Sequence, residues 1–184
     1  MTLLRRATAA DLPAIFAIVG QAQAFLGSQG IDQWQDGYPD EQIMRADIAN
    51  GTGYVLEQDG RIIGITTLTF TGEPTYDQIY DGAWTTTAPY ACVHRLALSA
   101  SARGTGASSE LMREIERIVL FHGFVNIRID THHGNLVMQG MLLKNGYTPC
   151  GTIHLENGMP RLALEKTVAG EGTSGDEMSG DVVP

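Results

Sequence analysis

The stretch His94-Arg-Leu-Ala-Leu-Ser-Ala-Ser-Ala-Arg103-Gly104-Thr105-Gly106-Ala107-Ser108-Ser109-Glu110-Leu111-Met112 reads as an alternating strand that runs into a glycine-containing turn and out into an amphipathic helix. Backbone N–H groups converge at such a turn, where the helix dipole already favours negative charge. A pyrophosphate fits there. Gly104 and Gly106 let the main chain approach the ligand, and Arg103 adds a charged donor at the rim. The same residues read equally well as a plain strand-to-helix turn that binds nothing. A dinucleotide fold needs G-x-G-x-x-G in its first βα unit and an acid about 20 residues further on, and a triphosphate loop needs Gly-Lys-Ser/Thr. Neither is present, so a phosphate ligand held here is of another kind.

Around this centre the pattern alternates between strand and helix. Upstream, Leu3 to Arg6 reads as a short strand. Thr8, Asp11 and Pro13 supply the cap, early acid and early proline of a helix that reaches about Leu26. Its Ile15, Phe16, Val19, Ala22 and Phe25 keep a helical period. A second helix runs from about Asp40 to Asn50. Tyr54 to Glu57, Asp59-Gly60 and Arg61 to Phe70 form a hairpin, because Asp-Gly tolerates the positive φ of a tight turn. Tyr90 to Leu98 is the strand that enters the glycine turn, and the helix beyond it runs from about Gly106 to Phe121, ending at Gly123. A strand at Asn126 to Asp130, a helix at Asn135 to Lys144 and strands near Thr148 to Leu155 and Arg161 to Lys166 follow. This order predicts an α/β fold, a mixed central sheet with helices on both faces and parallel pairing across the helical crossovers.

The chain has 184 residues, 43% of them hydrophobic and 18% charged, which suits one domain with a true core. That domain is expected over residues 1–166. Thr167 to Pro184, rich in Gly and Ser and carrying Glu171, Asp176, Glu177 and Asp181, is expected to be a mobile acidic tail. The net charge of -9, from 21 acidic against 12 basic residues, repels phosphate backbones, so no nucleic-acid partner is expected. No run approaches the ~20 apolar residues of a bilayer span and no cleavable leader is legible, so the expectation is a cytoplasmic protein with no membrane partner. Cys92 and Cys150 make neither a disulfide framework nor a CxxC pair, and isolated thiols are usually small buried hydrophobes. Adjacent His132 and His133 diverge, with no carboxylate or cysteine cluster beside them, so no metal site is expected.

Taken together, the turn and a second motif resemble the GNAT superfamily of acetyl-CoA-dependent N-acetyltransferases. The family's Arg/Gln-x-x-Gly-x-Gly/Ala is matched by Arg103-Gly-Thr-Gly106-Ala-Ser108, with Ser108 in place of the last small residue. The family also places Asn at the start of the next helix and, twelve residues on, an aromatic after glycine; Asn135, Gly146 and Tyr147 stand there. The resemblance covers roughly Leu3 to Lys166. It implies a GNAT-like fold with a mostly antiparallel sheet and a V-shaped opening between two splayed central strands, with acetyl-CoA as co-substrate. Its pantetheine arm would lie beside Leu96, Ala97 and Leu98, and its pyrophosphate on the amides of Arg103, Gly104, Thr105, Gly106, Ala107 and Ser108. Asn135 would hydrogen-bond the arm, although Asn at a helix start also serves as a cap. Dimers are common among such relatives, and the sequence leaves the oligomeric state open.

Acetyl transfer to a primary amine, small or peptidic, requires the ammonium to lose a proton, and direct attack in a ternary complex needs no covalent intermediate. A backbone N–H near Leu96 is placed to stabilise the thioester oxygen. His94 and Glu73 are the candidate bases. His94 stands beside the expected thioester with a suitable ordinary pKa, unless strand alternation turns it to the other face or into the core. Glu73 lies in a loop that either overhangs the cleft or is solvated. The family's acid, a tyrosine seven residues after the motif asparagine, is replaced by Leu142. Tyr147 falls where the family packs an aromatic, so the acid stays open among water, Tyr90 and other tyrosines. The segments Gly27 to Pro39 and Thr71 to Tyr90, with Asp32, Trp34, Asp36, Tyr38, Tyr76, Asp77, Tyr80, Asp81 and Trp84, would suit a cationic acceptor if they line the cleft. The missing tyrosine keeps a second reading alive, a non-catalytic acyl-CoA sensor.

Overall fold

The computed structural model describes residues 2–168. The strands are β1 (Thr2–Arg6), β2 (Gly53–Gln58), β3 (Arg61–Thr69), β4 (Tyr90–Leu98), β5 (Asn126–Thr131), β6 (Thr148–His154) and β7 (Pro160–Thr167). The helices are α1 (Leu12–Ser28), α2 (Glu41–Ala49), α3 (Ala107–Phe121) and α4 (Leu136–Lys144). Each lies within a residue or two of its expected span except at the start of α1: Thr8, the expected cap, opens a 3-10 turn at Ala9–Asp11, and the α-helix itself begins at Leu12. The last strand runs one residue beyond the expected domain limit: Thr167 pairs with Asn126, and Val168 is buried in the core. The rest of the expected acidic tail, 169–184, lies outside the described residues.

One sheet carries all seven strands in the order β1-β2-β3-β4-β5-β7-β6. Among the described residues only β4 and β5 are parallel and every other pairing is antiparallel, so of the crossovers expected to give parallel neighbours only that through α3 does: β7 inserts between β5 and β6, the strands that α4 joins. Helices α1 and α2 cover one face through Leu12, Ile15, Ile18, Val19 and Met44, and α3 packs the other through Leu111, Met112, Ile115 and Val119. With both faces covered, β2 reads as a continuous apolar run: Tyr54 and Leu56 join the α3 side while Val55 joins the α1 side. Ala9–Ser28 is long and apolar enough to cross a membrane by length and composition, although polar residues interrupt its apolar run, and its buried stripe packs on the sheet.

The entry to α1 is fastened by Asp11. Its carboxylate accepts from Thr8 N at 2.8 Å and from Arg5 Nη1 and Nη2 at 2.8 and 2.9 Å. The bond from Arg5 holds the Asp11 pKa down at about 2. Pro13 falls in the first turn, where a missing N–H breaks no helical bond.

Two irregularities in β4 shape the site. Its pairing with β5 runs from Tyr90↔Asn126 to Val93↔Ile129 and goes no further, so His94–Leu98 turns a main-chain edge towards open space. Opposite β3, the register jumps between Ile65↔Ala97 and Thr67↔His94, which leaves Arg95 and Leu96 facing Thr66 alone. That bulge places Arg95 at φ +50°. Strict alternation is broken, so Val93 and Leu96 share the α3 face although three positions apart.

Candidate active site

The splay between β4 and β5 opens into two connected cavities. The narrow one, about 240 Å³, is walled by Phe25, by Leu96, Ala97 and Leu98 of β4, by Arg103, Gly104 and Ser108 of the turn, and by Asn135, Met138 and Met141. The wide one, about 800 Å³, takes in Asp32, Asp36, Tyr38, Glu73, His94, Arg95, Asp130, Glu156 and Arg161. Gln33, Trp34, Leu96 and Met138 line both and form the throat.

At the turn, Gly104 and Gly106 adopt φ +76° and +89°, a region that costs other residues about 1–2 kcal/mol. Gly106 precedes α3, and no side chain caps the helix. The N–H groups of Ala107 and Ser108, at the first two helical positions, have no acceptor within the helix. A Cβ on Gly106 would meet nothing within 4 Å, so the cradle is open to a ligand. Arg103 stands at the rim with its guanidinium carbon 4.2 Å from the Phe25 ring centroid. Thr105 turns back, its hydroxyl donating to the Ala102 carbonyl at 2.8 Å, and the Ala107 methyl is in the core.

Asn135 is the N-cap of α4: its Oδ1 accepts from Met138 N at 3.1 Å, while Nδ2 donates to Gln33 Oε1 at 3.2 Å across the narrow cavity wall. The cap and the cavity position therefore coexist.

In the wide cavity, His94 Nε2 lies 3.5 Å from Glu73 Oε2. Glu73 is not a loose loop acid, because its other oxygen accepts from Thr75 N at 3.2 Å and Thr75 Oγ1 at 3.0 Å, and its own N–H donates to Tyr90 Oη at 3.2 Å. Burial lowers the His94 pKa, and the Arg95 charge lowers it further, against the opposing pull of Asp130, Glu73 and Asp47. The neutral imidazole is the form favoured. Asp130, half-buried near the end of β5, accepts from Tyr76 Oη at 2.8 Å. Burial raises its pKa, while Tyr76, His94 and Arg161 pull the other way.

The long segment before β4 contributes unevenly. Glu73 and Thr75 reach the cavity, whereas Tyr76 is a core residue at 1% exposure and Tyr80 bridges to Thr152. Trp84 and Tyr90 hold the Arg128 guanidinium carbon at 4.2 and 3.9 Å from their ring centroids. Arg128 Nε donates to Glu165 at 2.9 Å, and Thr85 N donates to the same carboxylate at 2.7 Å, so this buried pair fastens the segment to the sheet. Leu142 is fully buried, and so is the Tyr147 ring, whose hydroxyl has no partner among the described residues. Neither reaches the cavities. His132 accepts from Gly134 N through Nδ1 and sets Nε2 3.0 Å from Asp32, a loop brace. Both cysteines are buried, and burial pushes the Cys92 thiol up to about 12.

Sequence reasoning missed Asp130, Arg161 and the 155–159 turn, all of which line the wide cavity. The one signal for Asp130 was its position at the C-terminal end of a strand in a parallel pair, where α/β sheets form crevices.

Residues 20–147 match the acetyltransferase (GNAT) family, and the chain belongs to that family and is an acyltransferase. A GNAT-family acetyltransferase from Streptococcus agalactiae is 32% identical, with 92% of this chain aligned over 96% of that one at a TM-score of 0.85. The PaiA N-acetyltransferase of Thermoplasma acidophilum, solved with coenzyme A, is 17% identical over 91% of this chain and 99% of that one, TM-score 0.66. An aminoglycoside acetyltransferase solved with coenzyme A and kanamycin is 21% identical over 91% and 95%, TM-score 0.64. The latter two share the fold. No curated protein sequence gives a significant match to the chain.

Proposed function

We propose that the protein transfers the acetyl group of acetyl-CoA to a primary amine by direct attack within a ternary complex. The observation that carries this reading is the junction of two cavities at Leu96: one ends at uncapped helix amides, the other holds His94 beside Glu73. The diphosphate linkage sits on the amides from Gly104 to Ser108 with Arg103 at the rim, where helix N-terminus and backbone donors favour a dianion. The pantetheine arm lies along the free edge of Leu96 to Leu98, and Asn135 faces it.

The amine enters the wide cavity as its ammonium, drawn by Asp32, Asp36 and Glu156, and gives its proton to His94 Nε2, with Glu73 beside the resulting imidazolium. The amine nitrogen attacks the thioester carbonyl carbon, a main-chain N–H near Leu96 stabilises the developing oxyanion, and the C–S bond breaks to release the thiolate. The second proton, which the nitrogen sheds as the amide forms, passes through water to the thiolate, since Leu142 and Tyr147 are sequestered. The two cavities supply positioning, which accounts for much of the acceleration.

The test is thiol release from acetyl-CoA across a panel of primary amines, paired with calorimetric titration of coenzyme A. Release with at least one amine supports transfer. Coenzyme binding without release for every amine supports the sensor reading instead, and absence of coenzyme binding overturns both.

A further inference from the structure

Three arginines are largely buried on the α1 face of the sheet or beside it. Arg95 is gripped by Asp47, whose two oxygens accept from Nε and Nη2 at 2.7 Å each. Arg128 has Glu165 at 2.9 Å, the Thr86 carbonyl at 2.6 Å and two aromatic rings. Arg161 is as deeply placed, 7% exposed, yet among the described residues its one side-chain hydrogen bond is from Nη1 to the neighbouring Pro160 carbonyl at 2.9 Å. Among the described residues, no carboxylate lies within ion-pair distance of it. A desolvated guanidinium with an idle fork is costly, and this one lines the wide cavity.

The sheet register says what stands opposite. Ala163 pairs with Asp130, so Arg161, two positions along β7, projects on the same face as Asp130 and diagonally from it. His94 and Glu73 stand across the same cavity. Cation and carboxylates thus line one chamber, and among the described residues no ion pair joins Arg161 to any of them.

We infer that Arg161 is the anchor for a carboxylate on the acceptor, so that the substrate is an amino acid or a similar small zwitterion. This rests on the acetyl-transfer reading above. The carboxylate takes the guanidinium fork in a bidentate pair, which is the geometry arginine is built for. The amino group, a few bonds away, is then delivered towards His94. Arg161 acts as a specificity residue and exchanges no proton.

The experiment compares each of a set of amino acids with its own primary amide, its decarboxylated amine and its aminophosphonate analogue, for the wild type, Arg161→Met and Arg161→Lys. Thiol release is measured in parallel with calorimetric binding of the same compounds to the coenzyme-loaded protein. The wild type is expected to prefer the acid over the amide by about 10- to 100-fold in kcat/KM, the range of a charge-assisted hydrogen bond. Arg161→Met should bring the acid-to-amide ratio of kcat/KM to about one, chiefly through a higher KM for the acid and with coenzyme affinity retained, and Arg161→Lys should restore part of the ratio. Equal use of acid and amide by the wild type overturns the inference, as does an unchanged preference in Arg161→Met. Preference for the phosphonate over the carboxylate overturns the carboxylate assignment. Should another primary amine turn over while none of these compounds does, the inference is overturned and acetyl transfer stands. Should no primary amine turn over at all, acetyl transfer fails, and amino-acid binding that vanishes in Arg161→Met still upholds the anchor, whereas its persistence refutes it.

Discussion

Asp47 on α2 and Arg95 on β4 form a two-point ion pair, Nε to Oδ2 and Nη2 to Oδ1, both at 2.7 Å. Thr67 Oγ1 also donates to Asp47 at 2.8 Å, and Arg95 Nη1 donates to Tyr38 Oη at 2.6 Å. The pair holds an arginine in the left-handed region at the bulge that aims His94 into one cavity and Leu96 into the throat. Asp47→Ala leaves that guanidinium without its anion, with only 15% of the side chain exposed. A loss of about 3 kcal/mol is expected in urea denaturation, at the low end for a broken buried pair. Coenzyme affinity should fall as well, because Leu96 to Leu98 shift with the bulge.

His94→Gln removes the proposed base. A drop of about 10²–10⁴-fold in kcat/KM is expected, with coenzyme binding retained. Burial and Arg95 lower the His94 pKa, so the neutral imidazole gains population as pH rises through a value below the ordinary 6.5. The wild-type log(kcat/KM) profile should climb on its acid side with a midpoint below that value. In His94→Gln this limb should vanish.

Gly106→Glu adds a carboxylate at the cradle and forces a side chain into φ +89°. Space is available for the Cβ, so the fold should survive with a strain of about 1–2 kcal/mol. Like charge against the coenzyme diphosphate should abolish binding by calorimetry. Unchanged affinity would place the diphosphate elsewhere.

Leu142→Tyr tests whether the family's acid can be reinstated. Leu142 is wholly enclosed in the core, so the larger ring should overpack it and cost about 1–3 kcal/mol. No rise in turnover is expected. An increase in kcat with thiol release would show that the helix shifts to present the hydroxyl.

Asp11→Ala should cost about 1–3 kcal/mol at neutral pH through loss of the Thr8 and Arg5 bonds. The folded Asp11 pKa, about 2, lies below its ordinary 3.8. Its contribution is therefore full above 3.8 and disappears as pH falls through about 2. The stability gap between wild type and variant should close over that window in urea titrations.

Local physics made the Arg103 to Ser108 turn legible: two glycines and the start of an amphipathic helix are short-range features whose conformation neighbours in sequence dictate. The same holds for the Asp59-Gly60 hairpin and for α1, whose period and capping residues lie within a few turns of each other. The succession of strands and helices was legible from alternation, and the α3 crossover announced the parallel β4–β5 pair, but nothing local announced that β7 would insert between β5 and β6. His94 was legible as a candidate, but not its direction, because nothing at Arg95 announces a bulge: its anchor, Asp47, is 48 residues away. Arg161 carries no local mark at all. Whether an arginine is paired, stacked or left facing a cavity depends on which strands become neighbours, and here Asp130 and Arg161 face one chamber only because β5 and β7 pair. Motifs shaped by adjacent residues were written in the sequence; the charge pattern of the wide cavity, assembled from five distant segments, was decided by tertiary packing, since burial and Coulomb interaction depend on distance in space.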